Sequence, residues 1–374
     1  MRIGIDIRIL GSGHGGIGRY VLELVKNILV LDVKNEYFLF YNLKNSNPQD
    51  IEQFSKFKNV TLVKTTARHY SLAEQTSFLK ILNKYNLDLV HFPNFNFPIF
   101  YKKPFVVTIH DMVHHKIGGA KKSHLLHFLA YKKVISEAAK NSKTIITVSN
   151  YSKKDIHSYL QAPLEKIKVI YEGTSLPMEV TSNDVENVKR KFLLNKPFLL
   201  FVGVLERKKN LVSLTRALDV LLKKHHHDID LVIVGKSDKH YPEIKHKAMD
   251  INYKDHLVFT GFVDDRDLAA LYKSAYAYVS TSLHEGFGLP GVEGMKFGLP
   301  LAVSNIEVFN EIYDDAAIYF NPLDTEDIAE KLHLMVKDTQ FHQKLQEKSF
   351  QRGQLFDWER TARETLEVYD SAIS

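Results

Sequence analysis

Residues 197–203, PFLLFVG, begin a pattern of strands and helices that the chain has already completed once. Further apolar strands follow, each separated from the next by enough residues for a helix; they are DLVIVG (230–235), LVFTG (257–261), AYVST (277–281), LPLAVS (299–304) and AAIYF (316–320). Short apolar strands that alternate with helices are typical of a parallel sheet covered by helices. The segment therefore predicts a second sheet that starts anew.

The same alternation runs through the first half of the chain. Its predicted strands are GIDIRIL (4–10), EYFLFYN (36–42), VTLVK (60–64), LVHF (89–92), FVVTIH (105–110) and TIITVS (144–149). We predict an α/β protein with two doubly wound parallel sheets, and a break near residues 174–195. Because ligands of such sheets bind at the carboxyl ends of strands, we expect the two sheets to face each other across a cleft that holds the site.

Length and composition agree with two domains. The chain has 374 residues and no cysteine, which excludes disulfides, iron–sulfur clusters and a thiol nucleophile. Residues 1–175 carry 25 Lys+Arg and 13 Asp+Glu, a balance of +12, whereas residues 176–374 carry 25 and 31, a balance of −6. Opposite charge predicts different partners for the two halves. We find no signal-peptide pattern or membrane-spanning run and expect a cytoplasmic location.

The glycine-rich loop ILGSGHGGIGRY, residues 9–20, first suggests a dinucleotide cofactor. Gly11, Gly13 and Gly16 fit G-x-G-x-x-G, but an NAD site also needs an acidic residue at the end of the second strand. That strand ends without one, and Asp32 precedes it. An NAD(P)-dependent oxidoreductase or epimerase is therefore a weaker alternative. A non-catalytic two-domain sugar-binding protein is another.

The most informative segment for function is STSLHEGFGLPGVEGMKFGLP, residues 280–300. Glu285 follows a strand, a glycine turn comes next, and Pro290 is suited to begin a helix that contains Glu293. At the start of that helix, backbone N–H groups and the helix dipole favour an anion or sugar hydroxyls. The N–H groups predicted to face the ligand belong to Phe287, Gly288 and Leu289. We interpret the two glutamates as acceptors for hydroxyl pairs, one on a sugar and one on a ribose.

The E-x7-E spacing of Glu285 and Glu293 around GFGLP resembles the retaining nucleotide-sugar glycosyltransferases of family 4, which have the two-domain GT-B fold. Other segments resemble further family motifs; they are FVGVLERKKNL (201–211), VTIHDM (107–112), TVSNYSKKDI (147–156) and FDWERTARETLEVY (356–369). The resemblance implies an acceptor-binding domain over 1–175, a donor-binding domain over 176–355, and a final helix, 356–374, that crosses back to the first domain.

The resemblance also implies roles for single residues. Lys209 would hold the leaving diphosphate, and either Arg207 or Lys208 would supply a second cation. His110 would lie near the donor sugar and act in catalysis together with Lys209 and Glu285. No D-x-D motif stands at a strand end, so we expect no metal and no cofactor.

Two loops complete the implied donor site. The glycine pair Gly15-Gly16 would let the backbone approach the donor phosphate and sugar, because a Cβ would keep the chain away. In TGFVDDRDL (260–268), Val263 would meet the nucleobase through its backbone, and Asp264 or Asp265 would accept hydrogen bonds from guanine.

The implied reaction moves a hexose from a nucleoside-diphosphate sugar, with GDP-mannose as the first guess, onto a saccharide or lipid-linked glycan in cell-surface polysaccharide synthesis. We expect retention of configuration, with the leaving phosphate accepting the proton, and no nucleic-acid partner. The lysine-rich segment 114–140 predicts peripheral docking on an anionic membrane surface at its inner face.

Overall fold

The computed structural model describes residues 1–11, 15–43, 48–116, 125–238 and 240–373. It divides into two compact units. Unit 1 comprises Met1–Gly173 and Asp357–Ser374, and unit 2 comprises Thr174–Phe356. The sequence had placed the boundary after residue 175.

Unit 1 contains a parallel sheet with the strand order β3-β2-β1-β4-β5-β6-β7. Its strands are β1 (Arg2–Asp6), β2 (Glu36–Tyr41), β3 (Val60–Lys64), β4 (Leu89–Phe92), β5 (Phe105–Thr108), β6 (Thr144–Thr147) and β7 (Ile167–Val169). Its helices are α1 (Gly15–Leu31), α2 (Pro48–Glu52), a π-helical turn (Glu74–Phe78) that continues into α3 (Leu79–Lys84), α4 (Val113–Lys116), α5 (Leu125–Asn141), α6 (Asn150–Leu160), a 3₁₀ turn (Leu164–Lys166) and α15 (Trp358–Ile373).

The helix α15 belongs to the core of unit 1, although it follows unit 2 in the chain. Its buried Trp358 and Tyr369 pack in the same apolar cluster as Tyr20 of α1. The Tyr369 hydroxyl also lies 2.6 Å from Nδ1 of the buried His91 on β4. Burial, with a contribution from His110, lowers the pKa of His91 to about 3, so this ring stays neutral inside the core.

Unit 2 contains a second parallel sheet with the order β10-β9-β8-β11-β12-β13. Its strands are β8 (Phe198–Val202), β9 (Asp230–Val234), β10 (Leu257–Gly261), β11 (Ala277–Ser280), β12 (Leu301–Ser304) and β13 (Ala317–Phe320). Its helices are α7 (Ser182–Lys191), α8 (Leu211–His225), α9 (Glu243–Ala248), α10 (Asp265–Ser274), α11 (Leu289–Lys296), α12 (Glu307–Tyr313), α13 (Thr325–Lys337) and α14 (Thr339–Gly353), with 3₁₀ turns at Arg207–Lys209, Lys254–His256 and Asp314–Ala316.

The prediction of two doubly wound α/β sheets is confirmed. Each chain segment that we predicted as a strand contributes one, within a few residues of the predicted ends. The edge strand β7 was missed. It has three residues, of which only Ile167 is fully buried, so it lacks the apolar run that marks the other strands.

A buried ion cluster closes the carboxyl end of β1. Arg8, which is fully buried, places Nη2 2.6 Å from Asp6 Oδ2 and 2.7 Å from Glu74 Oε1. Its guanidinium lies 3.8 Å from the centre of the Phe78 ring. Burial raises the pKa of Asp6, but the guanidinium outweighs this and holds that pKa below its usual value. Burial raises the pKa of Glu74, which the same guanidinium only partly offsets.

We expect the substitution Arg8→Met to destabilise unit 1 by about 3–5 kcal/mol, because it leaves two buried carboxyl groups without their cation. Trp358 is the single tryptophan of the chain and lies in unit 1, so its fluorescence during urea unfolding reports on this unit. The control is Arg363→Met, which removes an exposed ion pair with Glu359 on α15 and should change little. An Arg8→Met protein as stable as the wild type would contradict the role of the cluster.

Candidate functional site

The candidate site of unit 2 lies where the strand order reverses. Strands β8 and β11 are neighbours in the sheet but are separated in sequence by β9 and β10. Ligands of doubly wound sheets bind at such a point, outside the carboxyl ends of the strands. The turn Arg207–Lys209 follows β8, and the loop 281–288 follows β11.

Hydrogen bonds to backbone carbonyls hold these two loops together. The N–H of Leu283 donates to the carbonyl of Lys208 at 2.7 Å, and the hydroxyl of Thr281 donates to the carbonyl of Lys209 at 3.1 Å. The loops are therefore one assembly, and a shift in one would move the side chains of the other.

The centre of this assembly is an ion pair. Lys209 Nζ lies 2.5 Å from Glu285 Oε1, and the two side chains are only 13% and 12% exposed. The Ser282 hydroxyl donates to the same carboxylate oxygen at 2.7 Å. Burial raises the pKa of Glu285, but the ammonium groups of Lys209 and Lys208 outweigh it and hold the pKa below its ordinary value. The carboxylate is thus charged at neutral pH.

The two remaining cations of the turn point to different neighbours. Lys208 contributes to the lowered pKa of Glu285, and its Nζ lies 3.3 Å from Glu206 Oε1. Arg207 instead lies 3.3 Å from Glu243 Oε1 and covers the ring of Tyr241, with 73% of its side chain exposed. The structure therefore brings Lys208 close to the ion pair and turns Arg207 toward α9.

The helix α11 follows Glu285 in the chain, and the turn before it requires a glycine. Gly288 has φ +101°, and a Cβ there would lie 2.3 Å from the Tyr313 hydroxyl, which donates to the Gly288 carbonyl at 2.6 Å. The helix starts at Leu289, so Pro290 is its second residue rather than its first. The N–H of Leu289 has no acceptor within the helix, which leaves the positive end of the helix dipole for a ligand.

Glu293 lies inside α11 and is only 4% exposed. Its Oε2 is 3.1 Å from the Tyr272 hydroxyl, which is also 2.8 Å from the Pro290 carbonyl. The buried Tyr278 lies within electrostatic range of both Glu293 and Glu285. The two carboxylates of the E-x7-E segment thus have different hydrogen-bond partners. Their roles toward hydroxyl pairs stay predictions.

The predicted nucleobase loop follows β10. Val263 is buried, at 7% exposure, whereas Asp265 is exposed at the start of α10. Asp264 caps that helix by accepting the N–H of Asp267 at 2.8 Å. Of the two predicted guanine acceptors, Asp264 therefore already has a structural role, and Asp265 stays the candidate. Phe287, predicted to offer its N–H, packs its ring against Phe356.

In unit 1, His110 follows β5 and is largely buried. Its Nδ1 lies 3.2 Å from Glu172 Oε1, its Nε2 lies 3.1 Å from the Pro93 carbonyl, and Tyr20 meets the ring edge to face. Both polar partners of the ring are hydrogen-bond acceptors. Glu172 was not predicted, because it follows the short strand β7, which the sequence pattern does not mark.

The glycines of the loop after β1 differ in whether the surrounding protein leaves room for a side chain. A Cβ on Gly18 would lie 2.0 Å from the Gly11 carbonyl oxygen, whereas a Cβ on Gly16 would meet no atom of the described residues within 4 Å. Gly15 and Gly16 form the first turn of α1. Packing among the described residues thus requires Gly18 and does not require Gly16. Gly13 lies outside the described residues.

The histidines at the end of α8 contact a histidine of another helix. His225 ends α8 and stacks on His333 with ring centres 3.8 Å apart. His227 Nε2 lies 2.8 Å from Nδ1 of the same His333. The reason is tertiary: α13 packs along α8 and brings a residue that is distant in sequence.

The predicted membrane-binding segment is only partly described. Lys121 and Lys122 lie outside the described residues, and within α5 Lys133 pairs with Glu137 at 2.7 Å. Membrane docking stays a prediction. Across the described ranges, no helix combines the length and apolarity needed to cross a bilayer. No group of three or more His, Asp or Glu side chains in the same ranges is arranged to hold a metal ion.

Two protein-family models match the chain. The model described as Glycosyltransferase Family 4 matches residues 14–176, and the model described as Glycosyl transferases group 1 matches residues 184–352. Together they take in most of unit 1 and most of unit 2. These matches place the chain among transferases, and not among NAD(P)-dependent oxidoreductases or non-catalytic sugar-binding proteins.

Curated relatives include two O-antigen enzymes. The O-antigen chain mannosyltransferase B of Escherichia coli is 26% identical over 369 residues, which are 95% of this chain and 95% of the relative. The O-antigen chain mannosyltransferase RfbU of Salmonella typhimurium is 29% identical over 194 residues, which are 52% of this chain and 51% of the relative.

Among solved structures, HepE of Anabaena in complex with UDP-glucose superposes with a TM-score of 0.76 at 17% identity, over 99% of this chain and 100% of that chain. At this identity the likeness concerns the fold. Three observations indicate the same family: the family-model matches, the two doubly wound sheets and the E-x7-E segment. The chain is therefore a glycosyltransferase that belongs to family 4 and has the GT-B fold.

Proposed function

We propose that the protein transfers a hexose, with retention of configuration and without a metal ion, from a nucleoside-diphosphate sugar to a glycan in cell-surface polysaccharide synthesis. The observation that carries the proposal is the buried Lys209–Glu285 ion pair at the amino end of α11. Unit 2 would bind the donor and unit 1 the acceptor, in agreement with the basic charge of the first half of the chain.

Lys209 is the group that holds the leaving diphosphate. Negative charge develops on that group as the bond to the sugar breaks, and an ammonium fixed in place stabilises this charge more in the transition state than in the ground state. Glu285 and the backbone fix the ammonium before the donor arrives, so no reorganisation is needed during the reaction. The two lysines and the helix dipole would replace a divalent cation.

Lys208 is the second cation of the donor site. Its charge acts on Glu285, whereas the guanidinium of Arg207 pairs with Glu243 and lines a pocket with Lys247. A pocket of mixed charge does not favour a diphosphate.

The remaining roles follow the resemblance. Glu293 would hold the ribose hydroxyls, the N–H groups of 287–289 would face the donor, Val263 and Asp265 would contact the base, and His110 would lie near the donor sugar. In the proposed step, a bond forms between the acceptor oxygen and the anomeric carbon as the bond to the phosphate oxygen breaks. The acceptor proton passes to that phosphate oxygen.

The donor is proposed to be GDP-mannose and the acceptor a saccharide or a lipid-linked glycan. Support comes from the two O-antigen mannosyltransferases, one of which matches 95% of the chain. HepE, which binds UDP-glucose, shows that a neighbour of this fold accepts another donor. A thermal-shift screen with GDP-, UDP-, dTDP- and ADP-sugars identifies the donor, because a ligand that binds only the folded state raises the melting temperature. A shift by another sugar nucleotide and none by GDP-mannose would overturn the donor assignment.

We expect Lys209→Met to lower turnover roughly 100- to 1000-fold while the protein stays folded, because the substitution keeps the chain length and removes the charge. The assay measures nucleoside diphosphate released from the donor in the presence of EDTA. In matched variants of the same turn, Lys208→Met should reduce turnover more than Arg207→Met. A folded Lys209→Met enzyme within a few-fold of wild type would contradict the role of Lys209. A wild-type enzyme that requires added Mg²⁺ would contradict metal independence.

The substitution Gly16→Ala tests whether the backbone at Gly16 contacts the donor rather than serving protein packing. The new Cβ would meet no atom of the residues that the structure describes, and alanine favours a helix over glycine, so we expect a fold at least as stable as the wild type. If the backbone at Gly16 approaches the donor, the KM for the donor should rise at least several-fold. Gly18→Ala is the packing control and should destabilise unit 1, measured by Trp358 fluorescence. An unchanged KM in Gly16→Ala would remove this loop from the donor site.

A further inference from the structure

Tyr70 is an exposed aromatic residue in a strained backbone conformation. It lies between β3 and the helical segment that contains Glu74, with 65% of its surface exposed and φ at +60°. Bulky side chains seldom adopt this left-handed region, and such strain concentrates at functional sites. Gln161 and His226 have a similar φ, but both end a helix, where that conformation is usual. Tyr70 precedes a helical segment, so helix capping does not explain it.

The buried ion cluster of unit 1 fixes this conformation. The backbone N–H of Tyr70 donates to Glu74 Oε2 at 3.3 Å, and the other oxygen of that carboxylate accepts from Arg8 at 2.7 Å. Arg8 in turn is held by Asp6 at the end of β1. A buried cluster of this kind seldom adds net stability compared with apolar packing, so its presence suggests a specific positioning role.

Tyr70 is the first member of a continuous row of rings, which we call the ring row. Its members are Tyr70, Phe95, Tyr131, His115 and Tyr159, and successive ring centres are 6.0, 5.2, 5.2 and 5.6 Å apart. Tyr70 follows β3, Phe95 follows β4 and His115 follows β5. Because carboxyl ends of parallel strands meet at one edge of a sheet, the row lies at the ligand-binding edge of unit 1.

Polar groups accompany the ring row. Asp111, next to His110 in sequence, and Tyr70 both lie within electrostatic range of the Tyr131 hydroxyl. Asn94 lies within hydrogen-bonding reach of the Tyr70 hydroxyl and donates to Asn96 Oδ1 at 3.0 Å. The exposed ring of Tyr70, with hydroxyl, amide and carboxylate groups along the ring row, suits a pyranose ring, which presents C–H groups on its faces and hydroxyls at its edge.

We propose that Tyr70 is the stacking platform for a hexopyranose ring of the acceptor glycan, and that the Asp6–Arg8–Glu74 cluster positions it. This inference rests on the proposed function for the identity of the ligand as a glycan. Tyr70 contacts the sugar, whereas Arg8 and Glu74 act through it.

Saturation-transfer NMR on the full-length protein tests the proposal without the donor. The probes are methyl α-D-mannopyranoside, methyl α-D-glucopyranoside, methyl β-D-galactopyranoside and an α-linked mannobiose. We expect at least one probe to receive saturation from the wild type, about tenfold weaker binding in Tyr70→Gly, and binding near the wild-type level in Tyr70→Phe, which keeps the ring. Gln161→Gly, which changes another exposed left-handed residue of unit 1, should bind like the wild type.

A stability measurement separates a binding role from a structural one. Unfolding monitored through Trp358 should give Tyr70→Gly a midpoint no lower than that of the wild type, because glycine relieves the left-handed strain. A lower midpoint with unchanged sugar binding would assign Tyr70 to structure and overturn the proposal. The proposal would also be overturned if none of the probes bound the wild type. Failure of the proposed function is distinct, because it appears as absent nucleoside diphosphate release while sugar binding persists.

Discussion

The two loops that follow β8 and β11 in unit 2 depend on one interaction, the ion pair between Lys209 and Glu285. Two charged groups 2.5 Å apart and nearly removed from water need further partners to be stable there. Ser282 supplies one partner to the carboxylate, Lys208 adds positive charge, and backbone hydrogen bonds lock the two loops that carry the pair. The doubly wound topology makes this possible, because it places the end of β8 beside the end of β11. A cation held in this way is ready for a diphosphate before the diphosphate arrives.

Unit 1 also contains a buried ion cluster after its first strand. Asp6 and Arg8, at the end of its first strand, reach Glu74 and through it the backbone of Tyr70. In both units a buried ion pair follows the first strand of a doubly wound sheet, where the topology gathers several loops. Under the proposed function, the pair in unit 2 offers a cation to the donor. The pair in unit 1 is buried, and we propose that it positions an aromatic ring.

Local features of the fold and of the candidate site could be predicted from the sequence, whereas contacts between distant residues could not. The strands, the glycine turn at Gly288 and the E-x7-E spacing are local patterns, so neighbouring residues reveal them. The contacts that the sequence did not reveal join distant residues: Glu172 with His110, Glu74 with Arg8, and His333 with His227. The strain at Tyr70 was also hidden, since nothing in RHYS marks a left-handed tyrosine. The orientation of Arg207 away from Lys209 depends on Tyr241 and Glu243, which follow the next strand.

In the proposed mechanism, Lys209 recognises the terminal phosphate of a nucleoside diphosphate. Calorimetry can measure the affinities of GDP, GMP, UDP and UMP for the wild type and for Lys209→Met, and the differences form a thermodynamic cycle that isolates this contact. We expect the preferred diphosphate to bind the wild type at least about tenfold more tightly than its monophosphate, and Lys209→Met to remove most of this difference while the monophosphate affinity changes little. Equal loss of affinity for the diphosphate and the monophosphate would contradict it.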